Sequence, residues 1–372
     1  MRIVEVLVRV THWRFDTPPR NAVSVWRDKA ATLLFLRTDT GLTGVGEAWS
    51  EGISPTPVVA FLEQEVAPLL RDADPFERGL LLDRIARLVL VSCKPGLVTA
   101  GLSAADIALW DLTGQALRQP IHRLIGTRRK AVPAYASGGL YADGRTPDAL
   151  GRELAGYVAA GFRAVKIKVG GAPIAEDVAR VAAAREAIGP EVALMLDATY
   201  AMTPAGAIAF ARRVAHFEPA FLETPVAPDD LAGLARVARE GGVPIAGNEY
   251  AFGADQFRRL LELDALAVLH AEPVLCGGIT GALAAATLAA AHRVPIGLHH
   301  ASTAVALLAS LHVAAAAERL DCVEVHMLHR ALLDRLDPAA LMPRDGMLPV
   351  PTAPGLGLAL DPEAVPELTV FS

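Results

Sequence analysis

From residue 132 onward, short apolar runs alternate with Ala-rich segments whose apolar positions follow a helical spacing. The runs are nearly continuous in Val, Ile, Leu and Ala, which favours parallel strands covered by helices on both faces. Eight such runs occur, and the charged residues at their ends recur 23 to 29 residues apart. One strand, one helix and two short loops need about that length. The pattern predicts an eight-stranded α/β barrel. A doubly wound sheet has the same period, but it does not bring every strand end to one point.

The first part of the chain has an α+β pattern. The predicted strands are IVEVLVRV and TLLFLRTD, and the polar, Pro-containing segment 12–28 between them is expected to form a mobile loop. Helical spacing follows at 56–71 and 75–91, and GLSAADIALWDLTGQAL predicts a further helix with Ser103 as its N-cap. From residue 343 onward, Pro and Gly turns indicate that the tail returns to this first domain.

Composition narrows the class of protein. Of the 372 residues, 52% are hydrophobic and 20% are charged, which is typical of a folded chain with a large core. The net charge is −6 and the Lys and Arg residues form no basic stripe, so we expect no nucleic-acid partner. The longest apolar-rich stretch is too short and too rich in Ala for a membrane span. Cys93, Cys276 and Cys322 form no CxxC pattern, and the N-terminus resembles a strand rather than a signal peptide. We therefore expect a cytoplasmic location.

Three acidic residues, Asp197, Glu223 and Glu249, end consecutive apolar runs. In a barrel they project from neighbouring strands toward one place, where three carboxylates repel each other unless a cation neutralises them. A hard divalent ion such as Mg²⁺ prefers oxygen ligands of this kind. A single acid at a strand end is commonly a cap for the next helix, but three in register favour a metal site.

Two lysines, Lys166 and Lys168, lie at positions i and i+2 of the run AVKIKV, so both side chains point to the same side of the strand. Two neighbouring ammonium groups lower each other's pKa, which favours one of them as a base near neutral pH. The apolar neighbours in the run argue against the alternative of an exposed edge strand.

A histidine is the expected second acid/base group. His299 and His300 both end the run VPIGLHH, and adjacent residues of a strand face opposite ways, so only one of them points inward. Glu272, on the neighbouring run, is placed to bond the far ring nitrogen. Glu324 ends the last run and would hydrogen-bond a developing enediolate oxygen if its pKa is raised. A buried structural histidine and a structural acid are the alternatives.

These motifs, in this order, resemble the mandelate racemase subgroup of the enolase superfamily. The similarity begins in TDTGLTGVGEAWSEG and ADIALWDLTGQALRQPIHRLIG and continues through KIKVGG, LMLDAT, FLETP, AGNE, CGGIT and PIGLHH, so it covers essentially the whole chain. The resemblance implies an α+β capping domain at 1–128, a (β/α)7β TIM-like barrel at 129–342, and a C-terminal segment at 343–372 that completes the capping domain. We also expect a homo-oligomer.

The resemblance implies one Mg²⁺ per subunit, held by the three acids that end the consecutive runs. Lys168 would be the acid/base group on one face of the substrate and His299 the one on the other, because His299 falls four residues after Pro295, as the subgroup's histidine does. Lys166 would lie near the metal-bound carboxylate of the substrate. Glu324 would polarise the intermediate.

Two positions depart from the family's pattern. The metal motif usually reads Asp-x-Asn, but Thr199 follows Asp197 here. The partner of the histidine is usually Asp, whereas this chain has Glu272. The longer side chain still reaches an imidazole but shifts the ring, so this departure affects the expected His299–Glu272 pair and leaves the expected metal site unchanged.

The implied reaction is removal of the proton next to a substrate carboxylate, with an enediolate intermediate held by the metal. Dehydration of a sugar acid is the first expectation, by analogy with the subgroup. Racemisation or epimerisation and lactone cycloisomerisation are alternatives that share the first step. A metal-dependent aldolase or hydrolase barrel, or a sugar-acid-binding relative without catalysis, are alternatives from other classes.

Two segments are expected to close over the substrate, at 12–28 and 46–52. Their Arg and Trp side chains are candidates to bind its distal end, and the second histidine of the HH pair is a further one. For the two arginines, solvation at the surface is an equal alternative. The candidates are Arg14, Arg20, Trp26, Trp49 and His300.

Overall fold

The structure is a computed structural model that describes residues 1–50, 54–88, 96–329 and 342–365. Cys93 and the last two residues of the segment 46–52 lie outside these ranges. Within them, Cys276 and Cys322 are buried free thiols. None of the helices in these ranges is long and apolar enough to cross a lipid bilayer.

An antiparallel sheet of three strands begins the chain. Each strand carries apolar residues on the face that packs against the helices that follow. The strands, in sheet order, are β1 (Ile3–Arg14), β2 (Asp28–Thr38) and β3 (Thr43–Ala48).

The segment between the first two strands differs from the expected mobile loop. Strand β1 remains paired with β2 as far as Arg14, so the connection is 15–27 rather than 12–28. The backbone groups of Arg20 and Tyr141 also exchange two hydrogen bonds of 2.9 Å. The segment is therefore fastened to the loop that follows the first barrel strand.

Among the described residues, five α-helices complete the N-terminal part, and a π-helical turn at Leu62–Val66 joins the first two of them. The predicted helical segments are confirmed in place: the first is interrupted by the π-helical turn, the second begins with a 3-10 turn at Pro75–Glu77, and the third begins earlier than predicted. Residues 89–91 of the second segment lie outside the described residues. The helices are α1 (Thr56–Phe61), α2 (Ala67–Leu70), α3 (Arg78–Leu88), α4 (Leu97–Ala116) and α5 (Ile121–Ile125).

Helix α4 is buried along most of its length between the sheet and the barrel. The expectation that Ser103 is its N-cap is wrong, because the helix begins six residues earlier, at Leu97. The Ser103 hydroxyl instead donates to the carbonyl of Thr99 (2.7 Å) and accepts from the Gly277 amide (2.9 Å), so it links the helix to the barrel. On the sheet side, a Cβ at Gly46 would lie 1.9 Å from a backbone oxygen of α4, so only glycine permits this packing distance.

Eight parallel strands form the barrel, and seven helices alternate with them. The strands are β4 (Ala131–Gly138), β5 (Ala164–Lys168), β6 (Ala193–Asp197), β7 (Phe221–Glu223), β8 (Ile245–Gly247), β9 (Val268–Ala271), β10 (Ile296–Leu298) and β11 (Leu320–His326). The helices are α6 (Pro147–Ala159), α7 (Ile174–Ile188), α8 (Pro204–Val214), α9 (Leu231–Glu240), α10 (Gly253–Glu262), α11 (Gly278–Ala291) and α12 (Ala304–Ala316).

The barrel is closed, which confirms the expected (β/α)7β architecture and excludes the doubly wound alternative. Strand β11 pairs in parallel with β4, with Val323 opposite Ala134. Strand register also places the charged strand ends at one level, because Lys168 lies opposite Asp197 and Asp197 opposite Glu223. The carboxyl ends of the strands therefore present these side chains to one point inside the barrel mouth.

The C-terminal segment contacts both parts of the molecule. Its strand β12 (Met347–Pro349) pairs antiparallel with β4 of the barrel. Further along, the amide of Leu356 donates to the Asp111 carboxylate of α4 (2.9 Å), and Glu363 forms an ion pair with Arg37 of β2 (3.0 Å). The domain boundaries at 128 and 342 stay a prediction.

Glu47, at the end of β3, joins the N-terminal sheet to the barrel. Its buried carboxylate accepts hydrogen bonds from the hydroxyls of Ser302 and Thr303 and from the amide of Ala306 (3.2 Å), at the beginning of α12. A carboxylate at this end of a helix is stabilised by the free amides and by the helix dipole. The contact also fixes the chain just after His299 and His300.

We expect Glu47→Ala to lower the free energy of unfolding by about 1–3 kcal/mol, since it leaves buried donors at the N-terminus of α12 without an acceptor. Urea denaturation followed by circular dichroism measures the change. Glu63→Ala, at an exposed helical position, is the control and should change stability by less than about 0.5 kcal/mol. Equal stability of the two variants would contradict the linking role of Glu47.

Candidate active site

The three acids at the ends of strands β6, β7 and β8 are all buried, and one of them, Glu249, has a carboxylate oxygen whose negative charge is not compensated. Glu249 has an Oε2 atom without a hydrogen-bond partner among the described residues. Burial raises its pKa, and the negative charges of Glu223 and Asp197 raise it further, to well above the usual range of a carboxyl. A buried anionic oxygen next to two further carboxylates needs a proton or a cation.

Glu223 lies at the centre of the group and is strongly ionised. Its Oε2 accepts from Lys166 Nζ (2.7 Å) and its Oε1 lies 2.9 Å from His270 Nδ1. Burial alone raises its pKa, but the charges of Lys166 and His270 reverse this and place the pKa well below the usual range. Oxygens of Glu223 and Glu249 and a nitrogen of His270 lie within 4.8 Å of one another, a spacing that suits a shared metal ion.

Asp197 is engaged on both oxygens. Its Oδ2 accepts from Lys168 and lies 3.5 Å from Lys166 Nζ. Its Oδ1 accepts from the amide of Thr199 (2.9 Å) and from the Thr199 hydroxyl (3.0 Å). The residue that departs from the Asp-x-Asn pattern therefore acts as a donor that orients the carboxylate.

Lys166 does lower the pKa of Lys168, as expected, but nearby carboxylates outweigh this effect and the net shift of both lysines is upward. Burial does lower the pKa of Lys166, but Glu223, Glu324 and Asp197 raise it to well above the ordinary value. For Lys168, burial again lowers the pKa and Asp197 raises it, with a net increase. Attraction to the carboxylates therefore outweighs the repulsion between the two ammonium groups.

His299 is held by Glu272. The side chain at this position is longer than the Asp that the family usually has, but it still pairs with the imidazole. His299 Nδ1 lies 2.9 Å from Glu272 Oε2, and both side chains are buried. The carboxylate therefore holds the proton on Nδ1 and leaves the Nε2 lone pair facing the barrel mouth, 3.7 Å from Glu324. Burial lowers the pKa of His299 to about 4, so the imidazole is neutral at neutral pH.

Glu324 is not the protonated acid that was expected. Burial raises its pKa, but the charge of Lys166 outweighs this and lowers the pKa to about 2. Its Oε2 accepts from the Tyr135 hydroxyl (2.9 Å) and from Lys166 Nζ (2.9 Å). Glu324 is thus a carboxylate that positions Lys166. Its Oε1 is buried without a partner among the described residues.

The two histidines of the HH pair have different surroundings. His300 Nε2 donates to the carbonyl of Thr303 (3.1 Å), and its Nδ1 accepts from the amide of His326 (3.4 Å). Both ring nitrogens of His300 are occupied by backbone groups, so the side chain connects the loop after β10 to β11. The pairing with Glu272 distinguishes His299 from His300 in the structure.

The remaining candidates lie around this centre. Arg14 is exposed at the end of β1. Arg20 donates to the carbonyl of Gly171 (3.1 Å) and lies 4.7 Å over the Tyr141 ring, so its contacts are with the loops after β4 and β5. Trp49 lies with its ring centroid 6.0 Å from that of His299 and forms a wall of the site. Trp26 is buried beside Lys29.

Sequence reasoning missed residues beneath the carboxylates. His270 was overlooked, although it lies two positions before Glu272 on the same strand and so shares its face. Tyr135, on the first barrel strand, is fully buried and bonds both Glu324 and Lys166 (3.2 Å). Only the His270 spacing carried a signal, because an isolated Tyr in an apolar run indicates a core residue.

The donor set fits a divalent cation. Three buried carboxylates at adjacent strand ends supply hard oxygen ligands, and the unpartnered Glu249 oxygen faces two negative charges. Glu223 belongs to the compact group around His270, whereas Asp197 is held by Lys168 at the edge of that group. The arrangement can hold a cation among these acids.

Two family models match the chain. The mandelate racemase / muconate lactonizing enzyme N-terminal domain matches residues 3–126, and the enolase C-terminal domain-like model matches residues 149–364. Together they cover most of the sequence and the strand ends that carry the buried acids.

Characterised relatives are similar over nearly the whole chain. An arabinonate dehydratase of Saccharolobus solfataricus is 32% identical over 87% of this chain and 87% of its own length. A D-galactarolactone cycloisomerase of Agrobacterium fabrum is 32% identical over 99% of this chain and 98% of its own. The crystal structure of a Streptomyces coelicolor racemase with bound magnesium has a TM-score of 0.89, at 29% identity and 98% coverage of both chains.

The relatives differ in reaction, being a dehydratase, a cycloisomerase and a racemase, but they share the fold and the family. Enzymes of this family act on small-molecule acids, and its members use Mg²⁺. The chain belongs to the mandelate racemase and muconate lactonizing enzyme subgroup of the enolase superfamily.

Proposed function

We propose that this enzyme removes the proton next to the carboxylate of a sugar acid and eliminates a β-hydroxyl, so that the overall reaction is a dehydration. One observation carries the proposal. A neutral imidazole oriented by a carboxylate and a lysine flank one buried group of three acids at the mouth of the barrel. A base and an acid on either side of a cation position are the parts that proton removal next to a carboxylate requires.

Asp197, Glu223 and Glu249 are the proposed ligands of one Mg²⁺ per subunit. When bound there, the cation would neutralise the three carboxylates and stabilise negative charge on the substrate carboxylate. His270 and Thr199 hold two of these ligands in place through their hydrogen bonds.

His299 is the proposed base. Its Nδ1–H bond to Glu272 fixes the tautomer, and its free Nε2 lone pair takes the proton from the α-carbon. Lys168 is the second acid/base group and protonates the departing hydroxyl. Lys166, held by Glu223 and Glu324, supplies a fixed positive charge beside the substrate carboxylate.

Lactone cycloisomerisation is the second candidate, favoured by the similarity to a D-galactarolactone cycloisomerase over the whole chain. It shares the proton removal by His299 and differs only in the leaving group. Racemisation or epimerisation would use both acid/base groups on one carbon. An aldolase or hydrolase barrel gains no support from the family matches. The homo-oligomeric state, the cytoplasmic location and the absence of nucleic-acid and membrane partners stay predictions.

Exchange of the α-proton in D₂O tests the proposal directly. We expect wild-type enzyme with Mg²⁺ to exchange the α-proton of sugar acids, measured by NMR, and to release a dehydrated product. His299→Asn should slow exchange by about 10²–10⁴-fold, since it removes the base. Lys168→Ala should slow product formation more than exchange.

The exposed positions His292→Asn and Lys130→Ala are matched controls with expected wild-type rates. Exchange that persists in the His299→Asn, Lys168→Ala double variant would contradict the assignment of both residues. An unchanged rate of exchange with EDTA present would contradict the requirement for a metal ion.

The pKa of His299 predicts the acid limb of the pH profile. Since burial lowers this pKa to about 4, the imidazole is neutral above that pH and becomes protonated below it. A base must be neutral to accept a proton, so kcat/KM for exchange should stay level toward acid and fall about tenfold per pH unit below about pH 4. Circular dichroism at each pH checks that the enzyme remains folded. A midpoint near the ordinary histidine pKa of about 6.5 would refute the prediction.

Metal binding should depend on Glu249 in a measurement that does not need activity. Mg²⁺ at about 100 times its Kd is expected to stabilise wild-type protein by about 2.7 kcal/mol, seen as a rise in Tm. Glu249→Gln should abolish most of that rise and, without metal, be at least as stable as wild type, because one of three repelling charges is gone. The exposed Glu191→Gln is the control. An equal Mg²⁺ response in both variants would place the ion elsewhere.

A further inference from the structure

Three buried polar side chains surround the main chain at and just after Lys168, and they are here named the lysine clamp. Tyr141 comes from the loop after β4, and Asp177 and Arg180 come from the first two turns of α7. Their exposed fractions are 3%, 1% and 5%. None of the three has a role in the reaction proposed above.

Strand pairing ends on one side of Lys168 before it ends on the other. Strand β4 pairs with β5 only as far as Gly138, and the chain turns away at Gly139, where φ is +57°. On the side of β6 the pairing continues, since the amide of Val169 donates to the carbonyl of Asp197 (2.9 Å). Main-chain groups of successive residues point to opposite sides of a strand, so the carbonyl of Lys168 faces the strand that has ended.

Arg180 takes the place of the missing strand contact. One of its terminal nitrogens donates to the carbonyl of Gly139 (2.6 Å) and to that of Lys168 (3.3 Å). Its Nε lies 3.8 Å from Asp177 Oδ1, so a buried carboxylate balances the charge of the guanidinium. A planar group with several donors can hold two carbonyls in a fixed relation. Arg180 therefore joins the ends of β4 and β5 at the residue that carries the acid/base ammonium.

Asp177 and Tyr141 hold the turn that follows. The amide of Gly170, where φ is +84°, donates to Asp177 Oδ2 (2.7 Å), and the amide of Gly171 donates to the Tyr141 hydroxyl (3.0 Å). Burial raises the pKa of Tyr141, so its hydroxyl stays protonated and donates to Asp177 Oδ1 (2.5 Å). The Tyr141 ring also packs against Arg180, with 4.1 Å between the ring centroid and Cζ. The three side chains thus form one connected network.

The clamp is significant because a lysine side chain is long and flexible. The ammonium of Lys168 is bound at its tip by Asp197, and the clamp fixes the main chain at its base. With both ends fixed, the ammonium approaches a substrate from one direction. Fixed geometry of this kind removes part of the entropic cost of a proton transfer.

We propose that Arg180, Asp177 and Tyr141 are positioning residues, which fix the main chain of Lys168 so that its ammonium meets the departing hydroxyl in one geometry. This inference rests on the proposed function, in which His299 removes the α-proton and Lys168 protonates the leaving group. The clamp acts through the main chain of Lys168. Its loss should therefore slow the step that uses Lys168 and leave the step that uses His299 unchanged.

Arg180→Met tests the clamp in the Mg²⁺-loaded enzyme with a sugar acid in D₂O. Product formation should slow by about 10- to 100-fold through kcat, as for a misplacement of about 1 Å, while α-proton exchange stays within about twofold of wild type. Arg180→Lys, which keeps the charge and a donor, should recover part of the loss. Tyr141→Phe keeps the ring and removes the hydroxyl. It should also separate the two rates, and it carries the same test if Arg180→Met does not fold.

Arg185→Met is the matched control. Arg185 lies on the same helix and also donates to main-chain carbonyls, those of Gly189 (2.9 Å) and Val192 (2.7 Å), but these precede β6 at the other end of the barrel. This variant should keep both rates. Equal slowing of exchange and product formation in Arg180→Met would show general structural damage and overturn the positioning role, as would product formation at the wild-type rate.

A double-mutant cycle determines whether Arg180 acts through Lys168. In Lys168→Ala the clamp has no ammonium to place, so adding Arg180→Met should slow product formation by less than about twofold. If the loss in the double variant instead equals the two single losses multiplied together, Arg180 acts independently of Lys168 and the inference is wrong.

Failure of the proposed reaction is distinguished by a measurement on the free protein. If wild-type enzyme with Mg²⁺ forms no dehydrated product, the role given to Lys168 in the reaction fails, and hydrogen exchange of the Gly171 amide is measured by NMR. This amide should exchange about tenfold faster in Tyr141→Phe than in wild type, and at the wild-type rate in Arg185→Met. Faster exchange would support the clamp without the reaction. Unchanged protection of Gly171 in Tyr141→Phe would refute the clamp itself.

Discussion

Repulsion among buried carboxylates is the constraint on which the site depends. Asp197, Glu223 and Glu249 end three adjacent strands inside a closed barrel, where water does not screen them. Two lysines of the neighbouring strand compensate part of the charge, Lys166 at Glu223 and Lys168 at Asp197. Glu249 has no such partner among the described residues, so the negative charge in excess is concentrated where a cation fits. The site is thus strained electrostatically in the absence of a cation, and metal binding and local stability are coupled.

The same charge balance separates the acid/base groups. Carboxylates close to the lysines raise their pKa values, whereas burial leaves His299 neutral with Glu272 on its far nitrogen. Pairs of titratable groups whose surroundings move their pKa values apart are suited to act as base and acid. In this enzyme the imidazole is suited to accept a proton. The positive charge of Lys166 lowers the pKa of Glu324 and keeps that carboxyl ionised.

The capping sheet contributes to the site from two directions. Glu47 of β3 binds the beginning of α12 and so fixes the chain that follows His299, and Trp26 and Lys29 of β2 meet the end of β11. Both contacts connect the capping sheet to the barrel.

The alternation of apolar runs and helical segments determined the fold, since a period of one strand and one helix with charged strand ends is sufficient to predict a barrel with a polar mouth. The convergence of the three acids, Lys168 and the Glu272–His299 pair could also be predicted, because the strand ends of a barrel meet at its mouth. The protonation states of these groups could not be predicted from the sequence. Whether Lys166 faces another ammonium or three carboxylates, and whether Glu324 is neutral, depend on distances between strands far apart in sequence. Lys29 lies against His329, and only the tertiary structure brings them together, because no local pattern encodes a contact across the whole chain.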